Sequence, residues 1–389
     1  MKKELLFIID SLACGGAEKS LVSLLPLIDF SKYDVDLLIL DAQRDKHKGV
    51  FEKYVPAEVN VLDYHLFGKT VFEKIRKFFL HARLSPQLRL NHRRHGSEIY
   101  WRSAHFDHKC LKKHYDVGIA YQQGIPTFFL AEKVRANKKL AWINVNIFAD
   151  GYDIEYCNRF YKKMDGVIAV SNELYSLLGK ELPWMKDRLR CVYDIVNQDV
   201  IRDMAKLASK EIDCNKNTIK LVTVGRLVDQ KNYLLACESA KILADRGFAF
   251  KWYFVGEGVM RKSIENRINE LGLQQKVFLL GFKENPYPYM SQADIYVQTS
   301  SYEGFCLTLA EARILHRPIV STNFDVVHDQ IIDRENGLIA EIAPESVADK
   351  IQELIENESL RKKIIQNLKK ENNTTSTTEI QKFYSIIEN

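Results

Sequence analysis

The chain has no Cys-x-x-Cys pair, no Walker loop ending in Gly-Lys-Ser or Gly-Lys-Thr, no complete Gly-x-Gly-x-x-Gly and no His-Glu-x-x-His. Each absence removes a class of protein. The seven cysteines (14, 110, 157, 191, 214, 237 and 306) are scattered and odd in number. They imply neither a disulfide framework nor a zinc site, and they suit a reducing cytoplasm. Without a Walker loop the chain does not read as a P-loop kinase or ATPase. Its histidines lie among arginines, which repel a cation, so no bound metal is expected. No stretch approaches the ~18–20 apolar residues of a membrane span, so an integral membrane protein is not expected. Leu5 to Ile9 gives only five apolar residues before Asp10, too short for a secretory signal, and reads as a buried first strand.

What remains is an ordinary soluble composition at a length that suggests two domains: 389 residues, 46% hydrophobic and 28% charged. The net charge of +5 is unevenly placed. Residues 70–114 hold eleven Lys and Arg against three Asp and Glu, together with six of the ten histidines. Phe72, Phe78, Phe79, Leu80, Leu84, Leu88 and Leu90 interleave with that charge. An anionic membrane surface or a lipid-diphosphate acceptor suits such a segment. A solvated helical insertion without a partner is the plain alternative. Nucleic acid is not expected, because no recognition module accompanies the charge.

Two βα series follow one another. Strands are expected near 5–9, 35–40, 59–62, 117–121, 139–144 and 166–170, with a helix over 16–28. A second set is expected near 219–224, 251–255, 277–280, 295–299 and 318–321. Helices are expected near 233–246, 260–271, 307–316 and 345–357. Strands that alternate with helices of this length imply an α/β protein with parallel sheets covered on both faces. The polar stretch 209–220 marks the approach to the second domain, with the boundary between 193 and 217. Open α/β sheets bind ligands beyond the carboxyl ends of their strands, so two such domains would face each other across a cleft.

Several motifs sit at those carboxyl ends. Gly15 and Gly16 join the first strand to a helix; they make either a plain turn or an approach for an anion. Gly225-Arg226 closes the first strand of the second series, and Lys231 follows five positions later. Two cations there suit a pyrophosphate, although surface Lys and Arg are often merely solvated. Gly256-Glu-Gly258 is a further glycine turn. The richest segment is Ser300-Ser-Tyr-Glu-Gly-Phe-Cys-Leu-Thr-Leu-Ala-Glu311. A glycine turn there passes into a helix whose positive end favours a phosphate, with Glu303 and Glu311 to meet hydroxyls of a sugar or ribose. Thr308 to Glu311 also fits a capping box, so Glu311 has a purely structural reading as well.

Taken in order, these pieces resemble the family 4 retaining glycosyltransferases (glycosyl transferases group 1). The resemblance rests on Val-Gly-Arg-Leu-Val-Asp-Gln-Lys-Asn (224–232), Phe-Val-Gly-Glu-Gly (254–258), Val-Phe-Leu-Leu-Gly-Phe (277–282), the segment 300–312 and Asn-Gly-Leu (336–338). It implies a GT-B fold of two Rossmann-like doubly wound domains. These would be an acceptor-side domain over 1–196 carrying the basic insertion, a donor-binding domain over 197–371, and a C-terminal helix within 372–389 crossing back.

For the site, the resemblance implies that Arg226 and Lys231 contact the diphosphate of a nucleotide-sugar donor. Gly304, Phe305, Cys306, Leu307 and Thr308 assist at the helix start, and Glu311 takes the ribose. Glu303 holds the transferred sugar and helps place its anomeric carbon. Gly256, Gly281 and Phe282 flank the base, while Gly15 and Gly16 close on the phosphates. Neither metal nor cofactor is implied. Three positions depart from the family pattern. Asn144 stands on the acceptor side where a histidine is frequent, Cys306 where glycine is usual, and Asp194 where asparagine is common.

The expected function is retaining hexosyl transfer, with UDP as the default base, to a lipid-linked or polysaccharide acceptor. That places the protein in cell-surface polysaccharide synthesis (capsule or lipopolysaccharide), peripheral at the cytoplasmic membrane face. A non-catalytic donor-binding partner in a synthase complex, or an epimerase on the same fold, is the alternative.

Overall fold

A computed structural model of the chain describes residues 2–13, 15–40, 49, 51–64, 75, 79, 82, 95–104, 108–206, 211–212, 215, 218–371 and 375–388. Most of the basic window at 70–94, and residues 105–107, lie outside them. The chain divides into two units, Met1–Ile195 with Thr375–Asn389, and Val196–Thr374.

The first unit holds strands β1 (Lys3–Ile9), β2 (Tyr33–Ile39), β3 (Asn60–Val61), β4 (His114–Ala120), β5 (Arg135–Ile143), β6 (Gly166–Ala169) and β7 (Leu189–Cys191). They form one sheet in the order β3-β2-β1-β4-β5-β6-β7, with parallel pairing throughout. Leu5 to Ile9 is fully buried, as a strand covered on both faces requires. The first helix, Gly16–Leu24, is shorter than expected. Pro26 offers no N–H to continue it, and the chain tightens into a 3₁₀ turn at Leu25–Leu27. Helix Thr375–Glu388 packs on this unit. Phe383 stacks on Phe7 and Tyr384 on Tyr33, and Lys138 Nζ donates to the carbonyl of Ile386.

The second unit holds β8 (Ile219–Val224), β9 (Phe250–Val255), β10 (Val277–Gly281), β11 (Ile295–Gln298), β12 (Ile319–Thr322) and β13 (Leu338–Ala340). Their order is β10-β9-β8-β11-β12-β13, again all parallel. Alternate residues feed two cores. Leu221, Trp252, Phe254, Ile295 and Val297 pack with helices Tyr233–Asp245 and Pro344–Glu356. Val222, Val224, Tyr253, Tyr296 and Ile319 pack on the other face with helix Leu307–Ile314. Strand order reverses between β8 and β11, and in such sheets the crevice beyond the strand ends at that point is where ligands bind. The short β7 and β13, three residues each, escaped the sequence pattern because they carry no extended apolar run. No helix of the described residues is long and apolar enough to cross a membrane.

Candidate functional site

The reversal point brings together two loops that are distant in sequence. After β8 the chain runs through Gly225 and Arg226 into a 3₁₀ turn at Asp229–Lys231. Asn232 then adopts a left-handed conformation and caps helix Tyr233–Asp245 through its side chain. After β11 the chain runs through Ser300 to Cys306 into helix Leu307–Ile314. The loops are stitched by Ser301 N–H donating to the carbonyl of Gln230 (2.9 Å) and Thr299 Oγ1 to that of Lys231 (2.9 Å).

Across this seam the Lys231 ammonium donates to Glu303 Oε1 at 2.5 Å. Only 13% and 7% of the two side chains are exposed. Burial opposes the charge on Lys231, but Glu303 beside it outweighs that cost and holds the ammonium above the ordinary lysine range. Ser300 Oγ also donates to Glu303 Oε1, at 2.6 Å. Gln298 Nε2 reaches the same oxygen at 3.3 Å, whereas Oε2 accepts from Gln230 Nε2 at 3.3 Å. Arg226 is exposed, and no hydrogen bond or ion pair among the described residues engages its guanidinium. Its charge acts on Lys231 nonetheless, so a second cation stands beside the pair.

The helix that follows begins at Cys306, which adopts φ 64°, ψ 68°. The glycine-like conformation is therefore kept despite the side chain, at a cost of about 1–2 kcal/mol for a residue with a Cβ. Gln330, buried, clamps the turn by donating from Nε2 to the carbonyls of Phe305 and Cys306. Burial pushes the Cys306 thiol up to about 12, which makes it an inert packing group. Thr308 lies inside the helix and donates to Gln298 Oε1 at 3.2 Å. It is not the N-cap, so the capping box with Glu311 does not form. Glu311, almost fully buried, instead accepts at Oε1 from Tyr287 Oη at 3.0 Å.

Gly256 follows β9 and Gly281 ends the neighbouring β10. Gly256 N–H donates to the Gly281 carbonyl at 2.9 Å, and Gly281 has φ 75°. A Cβ on Gly256 would stand 1.9 Å from the Gly225 carbonyl oxygen, so only glycine lets the turn after β9 approach the loop after β8 this closely. Phe282, next in the chain, leaves 42% of its surface exposed.

In the first unit, Gly15 is the N-cap of helix Gly16–Leu24, with an ordinary extended φ of −166°. The Glu18 carboxylate lies directly over it, since a Cβ on Gly15 would stand 2.2 Å from Glu18 Oε2. The start of that helix thus already carries an anionic group of the protein itself. Asn144 follows β5 and is held in place by Gln123, which accepts from its N–H, and by the Tyr121 carbonyl, which accepts from Nδ2. Asp194 is buried among Ser20 and Tyr121, and burial raises its carboxyl to about 7.

Sequence reasoning did not single out Gln230, Gln298, Ser300, Gln330 or Tyr287. One signal was available for Gln298: a glutamine closing the otherwise apolar strand Ile-Tyr-Val-Gln must find partners for its amide once buried.

The fold is that of the GT-B glycosyltransferases, two Rossmann-like parallel-sheet units in one chain. Among solved structures, the Anabaena HepE protein in complex with UDP and glucose superposes with a TM-score of 0.71 at 18% identity, covering 99% of both chains. Residues 205–371 match the family Glycosyl transferases group 1. A poly(ribitol-phosphate) alpha-N-acetylglucosaminyltransferase of Staphylococcus aureus is 34% identical over 141 residues, 35% of this chain and 28% of that one. The N-acetylgalactosamine-N,N'-diacetylbacillosaminyl-diphospho-undecaprenol 4-alpha-N-acetylgalactosaminyltransferase of Campylobacter jejuni is 33% identical over 145 residues, 36% and 39% of the two chains. The chain thus matches well under half the length of these curated relatives.

Proposed function

We propose that this protein is a retaining glycosyltransferase that moves a hexose-type sugar from a nucleotide-sugar donor to a lipid-linked or polysaccharide acceptor. The buried Lys231–Glu303 pair, at the reversal point and beside a helix start, carries this reading. Arg226, Lys231 and the positive end of helix Leu307–Ile314 stabilise a departing diphosphate, an electrostatic role that needs no metal. Gly304 to Thr308 line that turn. Glu303 holds hydroxyls of the sugar, Glu311 the ribose, and Gly256, Gly281 and Phe282 flank the base. In the first unit Asn144 is assigned to the acceptor, while Gly15 and Gly16 take no phosphate role, because the Glu18 carboxylate lies over Gly15.

In the reaction the bond from the anomeric carbon to the diphosphate oxygen breaks. A bond to the acceptor hydroxyl oxygen forms on the same face, and the acceptor proton passes to the departing phosphate. UDP is the donor nucleotide to test first, an order that the neighbour solved with UDP and glucose supports. Relatives named for capsular polysaccharide and lipopolysaccharide core biosynthesis support a place in cell-surface polysaccharide synthesis. The basic window at 70–114 suits attachment to the cytoplasmic face of an anionic membrane.

A thermal-shift screen against a panel of nucleotide sugars, followed by donor hydrolysis with Glu303→Ala and Glu311→Ala, tests the reading. A specific donor raises Tm by linkage, and both variants lose turnover. Unchanged activity in both variants removes the site assignment. A second reading, a donor-binding partner without turnover, is favoured by the non-titratable Asn144 at the acceptor side. It is separated by binding without product in the native protein.

A further inference from the structure

Gln298 closes β11, and all four residues of that strand are buried. A primary amide placed there costs stability unless its two donors and its acceptor are engaged. Here they are. Oε1 accepts from Tyr296 Oη at 2.7 Å and from Thr308 Oγ1 at 3.2 Å. Nε2 donates to Ser300 Oγ at 2.6 Å and to Glu303 Oε1 at 3.3 Å. A carboxylate only accepts, so the amide has one orientation, with nitrogen towards Glu303. The same amide therefore touches the first turn of helix Leu307–Ile314 through Thr308 and the buried carboxylate through Glu303. Tyr296, two residues back on the strand, shares its face and braces it from behind.

We infer that Gln298 is a positioning residue, locking the Glu303 carboxylate in register with the start of helix Leu307–Ile314. Together with Lys231 and Ser300 it occupies Oε1 and leaves Oε2, which meets only Gln230 among the hydrogen bonds described above, as the oxygen turned to a ligand. With three donors on Oε1 and Gln230 on Oε2 the carboxylate has little freedom to rotate, and Oε2 keeps a nearly fixed distance to any phosphate bound at the helix start. Misplacement by an ångström at such a centre costs on the order of 100-fold in rate. The inference rests on the proposed role of Glu303 in the transferase reaction.

The test uses the full chain with two variants. Gln298→Leu removes the amide at similar volume. Gln298→Glu replaces it with a group that, when protonated, donates through O–H and accepts through its carbonyl much as the amide does. The titratable and charged groups around position 298 are Tyr296 on its own strand, Glu303 on the following loop, Lys231 and Arg226 from the loop after β8, Tyr233 at the start of the helix that follows it, and Cys306 and Glu311 at and within helix Leu307–Ile314. Two carboxylates in contact cannot both ionise without cost, so the substituted glutamate and Glu303 share a proton at low pH.

Expected results are a fall in kcat of about 10–100-fold for Gln298→Leu at every pH, with donor KM within about threefold of native. Gln298→Glu approaches native kcat at low pH and loses it progressively as pH rises, an ionisation that the native profile lacks. Native kcat and native pH profiles in both variants overturn the inference. So does a loss in Gln298→Glu that is the same at all pH values, which assigns the residue a purely structural role. A native protein that turns over no nucleotide sugar overturns the transferase reading itself and the inference with it, and that outcome is visible before any variant is made.

Discussion

Lys231 Nζ and Glu303 Oε1, 72 positions apart in sequence, lie 2.5 Å apart in the second unit, with little of either side chain exposed. A pair of this kind constrains what each partner does. The ammonium is held charged by the carboxylate, and the carboxylate is aimed by the ammonium.

Removing one partner strands the other as a buried charge, at a cost of about 3–5 kcal/mol. Lys231→Met and Glu303→Gln are each expected to lower Tm by several degrees and to cut turnover by at least about 100-fold. The double variant is expected to recover part of the lost Tm. Chemical denaturation of the four proteins gives the coupling energy, and strictly additive single effects contradict the pairing.

Glu311 and Tyr287 form a second buried contact, and the two differ in what their removal should do. If Glu311 holds the donor ribose as proposed, Glu311→Ala is expected to raise donor KM by about tenfold or more through loss of that acceptor. Tyr287→Phe keeps the carboxylate and is expected to change KM by less than about fivefold. Equal effects of the two substitutions, measured by initial rates over donor concentration, favour a packing role for Glu311.

Cys306 sits in the left-handed region, clamped by Gln330. Cys306→Gly relieves the Cβ strain but frees the unfolded chain, two effects of opposite sign and about 1 kcal/mol each. Near-native stability and activity are expected. Cys306→Val places a β-branched residue at positive φ and is expected to lose at least about 2 kcal/mol. The native thiol, pushed up to about 12 by burial, is expected to resist alkylation by iodoacetamide at pH 8 until the protein unfolds.

Asp194 carries the pH dependence. Its carboxyl is raised from the ordinary 3.8 to about 7, with burial as the main cause and the hydrogen bond from Ser20 opposing it. The folded chain therefore keeps a proton that the unfolded chain has already released. Stability from this group is complete at low pH, falls as pH rises from 3.8 towards 7, and is level above that. The loss amounts to roughly 4 kcal/mol at most. Asp194→Asn mimics the protonated form, so its Tm advantage over native is expected to grow between pH 4 and pH 8. A constant difference across that range contradicts the assignment.

Much of the fold was legible because its signals are local. Apolar runs such as Leu5–Ile9 and Leu221–Val224, separated by helical stretches, announce buried parallel strands without reference to anything remote. Helix Gly16–Leu24 ends early for an equally local reason, Pro26, to which an apolar periodicity running on to 28 is blind. Of the candidate site, sequence named the residue types at the strand ends. It left Thr308–Glu311 open between a capping box and a ligand contact, because both readings share the same spacing. The actual partners, Gln298 for Thr308 and Tyr287 for Glu311, come from other elements of the fold.

By itself the sequence determined the α/β alternation, the glycine turn after β9 that Gly256 makes possible, and the presence of two cations and two acids near strand ends. These depend on the residue and its immediate neighbours. Tertiary structure alone decided that β8 lies beside β11, and hence that Lys231 meets Glu303 and that Gln298 reaches both Glu303 and Thr308. Strand order is a global outcome of packing two apolar faces, and a side-chain hydrogen bond across it exists only once that order is set.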